Sequence, residues 1–202
     1  MSSNFKSEGR SLQPFPFLIR TARSQDLNPI VEILVSSFHV STGWTNWLHP
    51  LLRLGIYEDL RHRLRTRSTP YACLVAVALP TIEAPIAQTT LGSPSYSSIA
   101  GTVEIGVRHP VWFAPLEQHV YLSNLAIAAP YRRQGVALNL LKHCEKISLE
   151  WGYSTLYLHV MEDNTAAHRL YTKAGYDLYR SEPSLSNLFG RPRQILLYKS
   201  LK

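Results

Sequence analysis

Cysteine is almost absent from this chain: it has two, Cys73 and Cys144. Both lie in apolar-patterned segments, so two buried thiols are expected rather than a disulfide, and two thiols alone make no zinc site. Such usage suits the cytosol or another reducing compartment. No apolar run approaches the roughly 20 residues that a membrane helix needs. The opening stretch, MSSNFKSEGRSLQPFPF, has no apolar signal-peptide core. Residues 1–16 read as a flexible tail containing Pro14 and Pro16, and 17–202 as one domain. Negative charge is scarce, with 14 Asp and Glu against 21 Lys and Arg, a net charge of +7. That excess points to an anionic partner: a phosphate-rich cofactor, nucleic acid, a ribosomal surface or an acidic membrane face. There are no internal repeats. The nucleotide-binding patterns GxxxxGK[ST] and GxGxxG are both missing.

What is present is ordinary core-forming composition, 45% hydrophobic and 17% charged over 202 residues. FLIRT (Phe17 to Thr21) reads as a strand, and Asp26 as the N-cap of a helix from Leu27 to Phe38. A second helix is predicted from Asn46 to Arg65, where Leu48, Leu52, Ile56, Leu60 and Leu64 recur every fourth residue. Its end, Arg61 to Arg67, carries four arginines in seven positions. They form either a solvated helix end that suits the dipole or a patch for an acidic partner. Strands follow at Tyr71 to Leu79, Ile99 to Arg108 and His119 to Ala128. A Pro-, Ser- and Thr-rich loop separates the first two. Tyr131 onward opens a helix whose apolar face holds Ala137, Leu140, Leu141, Cys144, Ile147 and Trp151, with Gly152 ending it. A strand at Thr155 to Val160, a short helix capped by Asp163 or Asn164 and stopped by Gly175, and two closing strands complete the chain. The order is β-α-α-β-β-β-α-β-α-β-β, an α/β (α+β mixed) arrangement with one mixed sheet flanked by helices.

The segment YRRQGVA stands where the longest apolar-striped helix begins. A helix N-terminus leaves backbone N–H groups unpaired and attracts anions. Gly135 permits close approach to the backbone, and Arg132 and Arg133 add donors suited to phosphate oxygens. Taken alone, these residues make either a diphosphate cradle or a basic helix cap.

Leu125-Ala126-Ile127 followed by Arg132-Arg133-Gln134-Gly135-Val136-Ala137 resembles the acyl-CoA motif of the GCN5-related N-acetyltransferase (GNAT) superfamily. A second block, Asn164-Thr165-Ala166-Ala167, Leu170-Tyr171 and Lys173-Ala174-Gly175-Tyr176, looks like that family's second motif, and the two lie about 30 residues apart as in the family. IRTARSQDL resembles its first strand and helix. The likeness covers Phe17 to Leu201 and is nearest in wording to the cyanobacterial and plant-plastid protein acetyltransferases. Ala137 stands where many members have glycine, and Pro130 lies one position late.

The resemblance implies a GNAT fold with a mostly antiparallel sheet of six or seven strands and splayed strands at the acetyl-CoA site. It implies acetyl-CoA as donor, no metal, and acetyl transfer to an amine by direct attack in a ternary complex. Leu125, Ala126 and Ile127 would meet the pantetheine arm. Backbone N–H groups from Arg133 through Gln134, Gly135, Val136 and Ala137 to Leu138 would hold the diphosphate. Asn164 and Ala167 would lie beside the arm. Tyr171 stands where the family places its general acid, and a core tyrosine is the other reading. His159 lies twelve positions before Tyr171, where ribosomal-protein acetyltransferases of the family carry a glutamate. His159 is thus a candidate base, or else a structural histidine, on the less apolar face of its strand. Glu104, on the neighbouring strand, is the rival base, or a surface residue. Tyr121, Ser123 and Asn124 are placed near the acceptor channel.

The acceptor expected is a protein or peptide amine, N-terminal or lysine. Small amines such as polyamines, antibiotics or amino acids, a non-catalytic acyl-CoA sensor, and a nucleic-acid role through Arg61 to Arg67 are the alternatives. Cytoplasm or plastid stroma is the expected compartment, and monomer or homodimer the expected state.

Overall fold

A computed structural model describes residues 16–38, 49–66, 70–79, 99–109, 118–181 and 193–201. Seven strands, β1 (Phe17–Thr21), β2 (Tyr71–Ala78), β3 (Ile99–Arg108), β4 (His119–Ile127), β5 (Thr155–Met161), β6 (Asp177–Ser181) and β7 (Gln194–Ser200), form one sheet in the order β1-β2-β3-β4-β5-β7-β6. Every neighbouring pair is antiparallel except β4 and β5, which run parallel. A parallel pair needs a crossover, and helix α3 (Val136–Glu150) supplies it. The other helices are α1 (Leu27–Phe38), α2 (His49–Arg65) and α4 (Thr165–Lys173).

Strand alternation sorts the sheet into two cores. On one face, Leu74, Ala76, Val103, Ile105, Leu122, Leu156 and Leu158 pack under Leu140, Leu141 and Cys144 of α3. On the other, Cys73, Val75 and Val77 pack under Ile30, Val31 and Leu34 of α1 and Leu60 of α2. Each fully buried leucine of this kind contributes about 1.5–3 kcal/mol of apolar burial. Both cysteines are free and buried, as their apolar setting predicts.

The element order and most boundaries follow the sequence pattern. Ile56, Leu60 and Leu64 of the every-fourth-residue series face the core, while residues 46–48 and Arg67 lie outside the described residues. So do residues 80–98, read above as a loop. Helix stops at Gly152 (φ 84°) and Gly175 (φ 82°) occupy the left-handed region that glycine adopts freely. Asp26 departs from expectation. It ends a short 3-10 turn, Ser24–Asp26, and its carboxylate accepts both guanidinium nitrogens of Arg20, at 2.6 and 3.0 Å, and the Arg23 N–H at 2.7 Å. A buried carboxylate takes the strongest donors in reach, and here those lie behind it on β1. That pairing holds the Asp26 carboxyl below its ordinary value despite burial, which pushes the other way.

Candidate active site

Strands β4 and β5 pair only over Val120–Leu156, Tyr121–Tyr157 and Leu122–Leu158. Beyond that they part and leave a notch. On the other side of β4 the register slips: Glu104 faces Ser123, yet Thr102 faces Ala126, so β4 carries one extra residue. The bulge contains Asn124 at φ 53°, a left-handed conformation that asparagine tolerates better than most residues. The edge of β4 that runs through Leu125, Ala126 and Ile127 is thereby turned into the notch. Gly101 lets this edge sit close, since a Cβ there would meet Ile127 Cδ1 at 2.5 Å and the Ala126 carbonyl at 3.0 Å.

At the mouth of the notch the chain turns through Ala129–Tyr131 into the N-terminus of α3. The Tyr131 ring packs edge-on against Phe17 at 5.7 Å, which ties this turn to β1. Arg133 (φ 64°) and Gly135 (φ 80°) both take left-handed backbone, and Gly135 caps α3 with no side chain closing the first turn. The N–H groups of Val136, Ala137 and Leu138 therefore point outward, as in any uncapped helix start. Unpaired N–H groups at a helix start beside the exposed Arg133 side chain fit a diphosphate. Arg132 is exposed, and its Nε donates to the Ile127 carbonyl at 3.1 Å. Gln134 likewise donates to the Pro130 carbonyl at 2.9 Å. These two side chains brace the turn.

Asn164 accepts the Ala167 N–H at 3.1 Å and caps α4. That helix delivers Tyr171 to the α3 face of the notch, 8% exposed, with its ring against Tyr176 at 5.7 Å. Burial, with the nearby Tyr121 phenol adding to it, pushes the Tyr171 hydroxyl up to about 12. At neutral pH it keeps its proton.

His159 sits on the opposite face, as alternation requires: Leu158 and Val160 are buried in the α3 core, and His159 is not. Its Nδ1 lies 2.7 Å from the Tyr121 hydroxyl. The Arg108 guanidinium lies over the Tyr121 ring, 3.4 Å from its centroid. Glu104 is not a surface residue; it is 1% exposed. Asn124 Nδ2 donates to one of its oxygens at 2.5 Å and Arg63 Nη1 to the other at 3.3 Å. Arg63 also holds Asp59 at 2.9 Å. Burial and the Glu104 charge push the neighbouring Tyr71 phenol far up. Both candidate bases thus lie on the α2 face of the sheet. Glu104 has each oxygen engaged; His159 has Nδ1 against a hydroxyl and Nε2 buried.

Above them opens a pocket of about 280 Å³, lined by His62, Arg63, Tyr71, Arg108, Tyr121 and Ser123 among others. No carboxylate lines it among the described residues. Sequence reasoning missed Arg63 and Arg108 as members of this site. Arg63 is one of a run of arginines that read alike, and among the described residues of that run its side chain is the one that reaches Glu104 on β3. Arg61 pairs with Glu58 instead, at 3.3 Å. Arg108 ends a strand, and no local pattern shows that Tyr121 of the next strand lies beneath it.

A model of the acetyltransferase (GNAT) family matches residues 86–176. GCN5-related N-acetyltransferase 10, chloroplastic, from Arabidopsis thaliana is 35% identical over 182 residues, covering 86% of this chain and 67% of that protein. GCN5-related N-acetyltransferase 7, chloroplastic, from the same plant is 36% identical over 104 residues, covering 51% of this chain and 36% of that protein. Among solved structures, the PaiA N-acetyltransferase of Thermoplasma acidophilum in complex with coenzyme A superposes with a TM-score of 0.65 at 18% identity, covering 91% of this chain and 98% of that one. At that identity the likeness is one of fold.

Proposed function

This chain belongs to the acetyltransferase (GNAT) family and is an acetyl-CoA-dependent acyltransferase, and we propose that it transfers the acetyl group to a protein amine, an N-terminal α-amine or a lysine ε-amine. The observation that carries this reading is the acceptor-side pocket: it is open, and Arg63, Arg108 and His62 line it without a carboxylate among the described residues. A polyamine or polycationic antibiotic would meet like charge there. A peptide end, with a single amine and a row of carbonyl acceptors, suits it.

The thioester of acetyl-CoA supplies an activated acyl carbon. The chain's own residues do the rest. N–H groups from Arg133 to Leu138 and the Arg133 guanidinium hold the diphosphate. The bulged edge of Leu125, Ala126 and Ile127 offers backbone groups to the pantetheine arm, with Asn164 and Ala167 beside it. His159 takes the proton of the acceptor amine, and Tyr121 fixes the orientation of its imidazole through Nδ1. Tyr171 keeps a proton at its hydroxyl for the leaving sulfur. Glu104 shapes the bulge through Asn124 and takes no proton itself. The chloroplastic relatives support a plastid setting, with which two buried free thiols agree.

The test is acetyl-CoA turnover against two peptide pools. One has free N-termini; the other has blocked N-termini and internal lysines. Wild type is run beside Tyr171→Phe and His159→Ala. Turnover in either pool that collapses in both variants is the expected result. Turnover in neither pool, with small amines acetylated instead, would overturn the protein acceptor.

A further inference from the structure

Resting on that reading, we propose that Arg108 anchors a carboxylate of the acceptor, so that the preferred substrates carry an acidic group within one residue of the amine to be acetylated. Two arginines and a histidine border the pocket, and they are not equivalent. Arg63 is committed, with Asp59 at 2.9 Å and Glu104 at 3.3 Å. His62 stands on the exposed rim, with Thr66 Oγ1 at 3.4 Å from its Nε2. Arg108 lies over the Tyr121 ring and has no carboxylate at ion-pair distance among the described residues. A ring face attracts a guanidinium but accepts none of its five N–H donors in the plane. Arg108 is itself an exposed residue at the pocket wall. A fork in this state is matched by a carboxylate, which takes two parallel N–H bonds.

The position decides where on the acceptor that carboxylate must be. Arg108 sits over the ring whose hydroxyl bonds His159. The guanidinium lies 3.4 Å from the Tyr121 ring centroid and that ring's hydroxyl is 2.7 Å from His159 Nδ1, so the ring and one hydrogen bond stand between the cation and the imidazole. An aspartate or glutamate at the first position of a peptide has its carboxyl three or four bonds from the amine. An acidic second residue reaches the same pocket from one residue further on. A free acidic amino acid presents the same pair of groups, so the chemistry is shared by two sources.

The experiment measures kcat/KM on acceptor pairs that differ only in charge: Asp against Asn and Glu against Gln, at the first or second position of otherwise neutral peptides, and the same four free amino acids. Wild type is compared with Arg108→Gln and Arg108→Lys. Wild type is expected to favour the acidic member about tenfold, the scale of one charge-assisted contact. Arg108→Gln should bring the ratio close to one, whatever it does to the absolute rate. Arg108→Lys, which keeps the charge and loses the fork, should fall between and serves if the glutamine variant does not fold. Raising salt from about 0.1 to 0.5 M should shrink the wild-type ratio. A wild-type ratio of one, or a ratio that Arg108→Gln leaves unchanged, overturns the proposal. Neutral peptides acetylated with a flat ratio would leave the protein acceptor standing and remove the anchor. Free acidic amino acids acetylated with the Arg108 dependence, and peptides not at all, would do the reverse.

Discussion

Replacing Asn124 with alanine tests how the notch is made. Asn124 does two things at the β4 bulge: it accepts a left-handed backbone at φ 53°, and it donates to the buried Glu104 carboxylate. Alanine loses about 1 kcal/mol in the left-handed region. It also loses a hydrogen bond to a charged acceptor, roughly 1.5–3 kcal/mol, while Arg63 still donates to Glu104. The sum is roughly 3 kcal/mol, which for a domain of this size lowers Tm by about 10 °C. Asn124→Gly keeps the backbone freedom and should lose only the hydrogen-bond part, roughly 2 kcal/mol. Thermal unfolding of the three proteins gives the stabilities, and initial rates against acetyl-CoA concentration give the function. If the bulge aims the β4 edge, the acetyl-CoA KM should rise in alanine more than in glycine, since glycine can still bulge. Glu104→Gln, whose amide oxygen can still accept from Asn124, should keep most of kcat. An alanine variant as stable as wild type with an unchanged KM would refute the reasoning. A Glu104→Gln variant with normal KM and kcat reduced a hundredfold would instead make Glu104 the base.

Three further outcomes follow from the same geometry. Tyr171→Phe removes the buried proton donor and should lower kcat about a hundredfold or more with little change in acetyl-CoA KM, read from steady-state rates. Gly135→Ala has room for its Cβ, the nearest atom being Asn139 Nδ2 at 3.8 Å, but not for its backbone at φ 80°; a loss of about 1 kcal/mol in stability and a raised acetyl-CoA KM are expected, by unfolding and by titration. Tyr71, Tyr171 and Tyr176 all hold their protons more tightly folded than unfolded, because burial disfavours the phenolate. Their contribution is full below about pH 10, where the unfolded chain begins to release them, and is lost as pH rises toward 12. Tm measured across that range should fall, and a flat Tm up to pH 11 would contradict it.

Much of this molecule is legible along the chain. Most of the elements announce themselves through period-two or period-3.6 patterning, because they bury one face, while β2, buried on both faces, shows as a continuous apolar run. The uncapped basic turn before α3, the Asn164 cap and the Gly152 and Gly175 stops are local backbone requirements, so single residues declare them. For the same reason His159 could be assigned to the less apolar face of β5 from alternation alone. What stayed hidden is long-range. Arg63 and Glu104 are 41 positions apart, Tyr121 and His159 38. No periodicity links such pairs; they meet only because the sheet lays β3, β4 and β5 side by side and α2 ends above them. The same holds for Asp26, whose carboxylate looks like a helix cap until the turn brings Arg20 against it. The sequence by itself determined which elements form and where an anion can bind a helix start, since those depend on near neighbours. Only the tertiary structure decided that Glu104 is buried and engaged, that His159 is held by Tyr121, and that Arg108 lies over that pair, because charge and hydrogen-bond partners are set by what packs across strands.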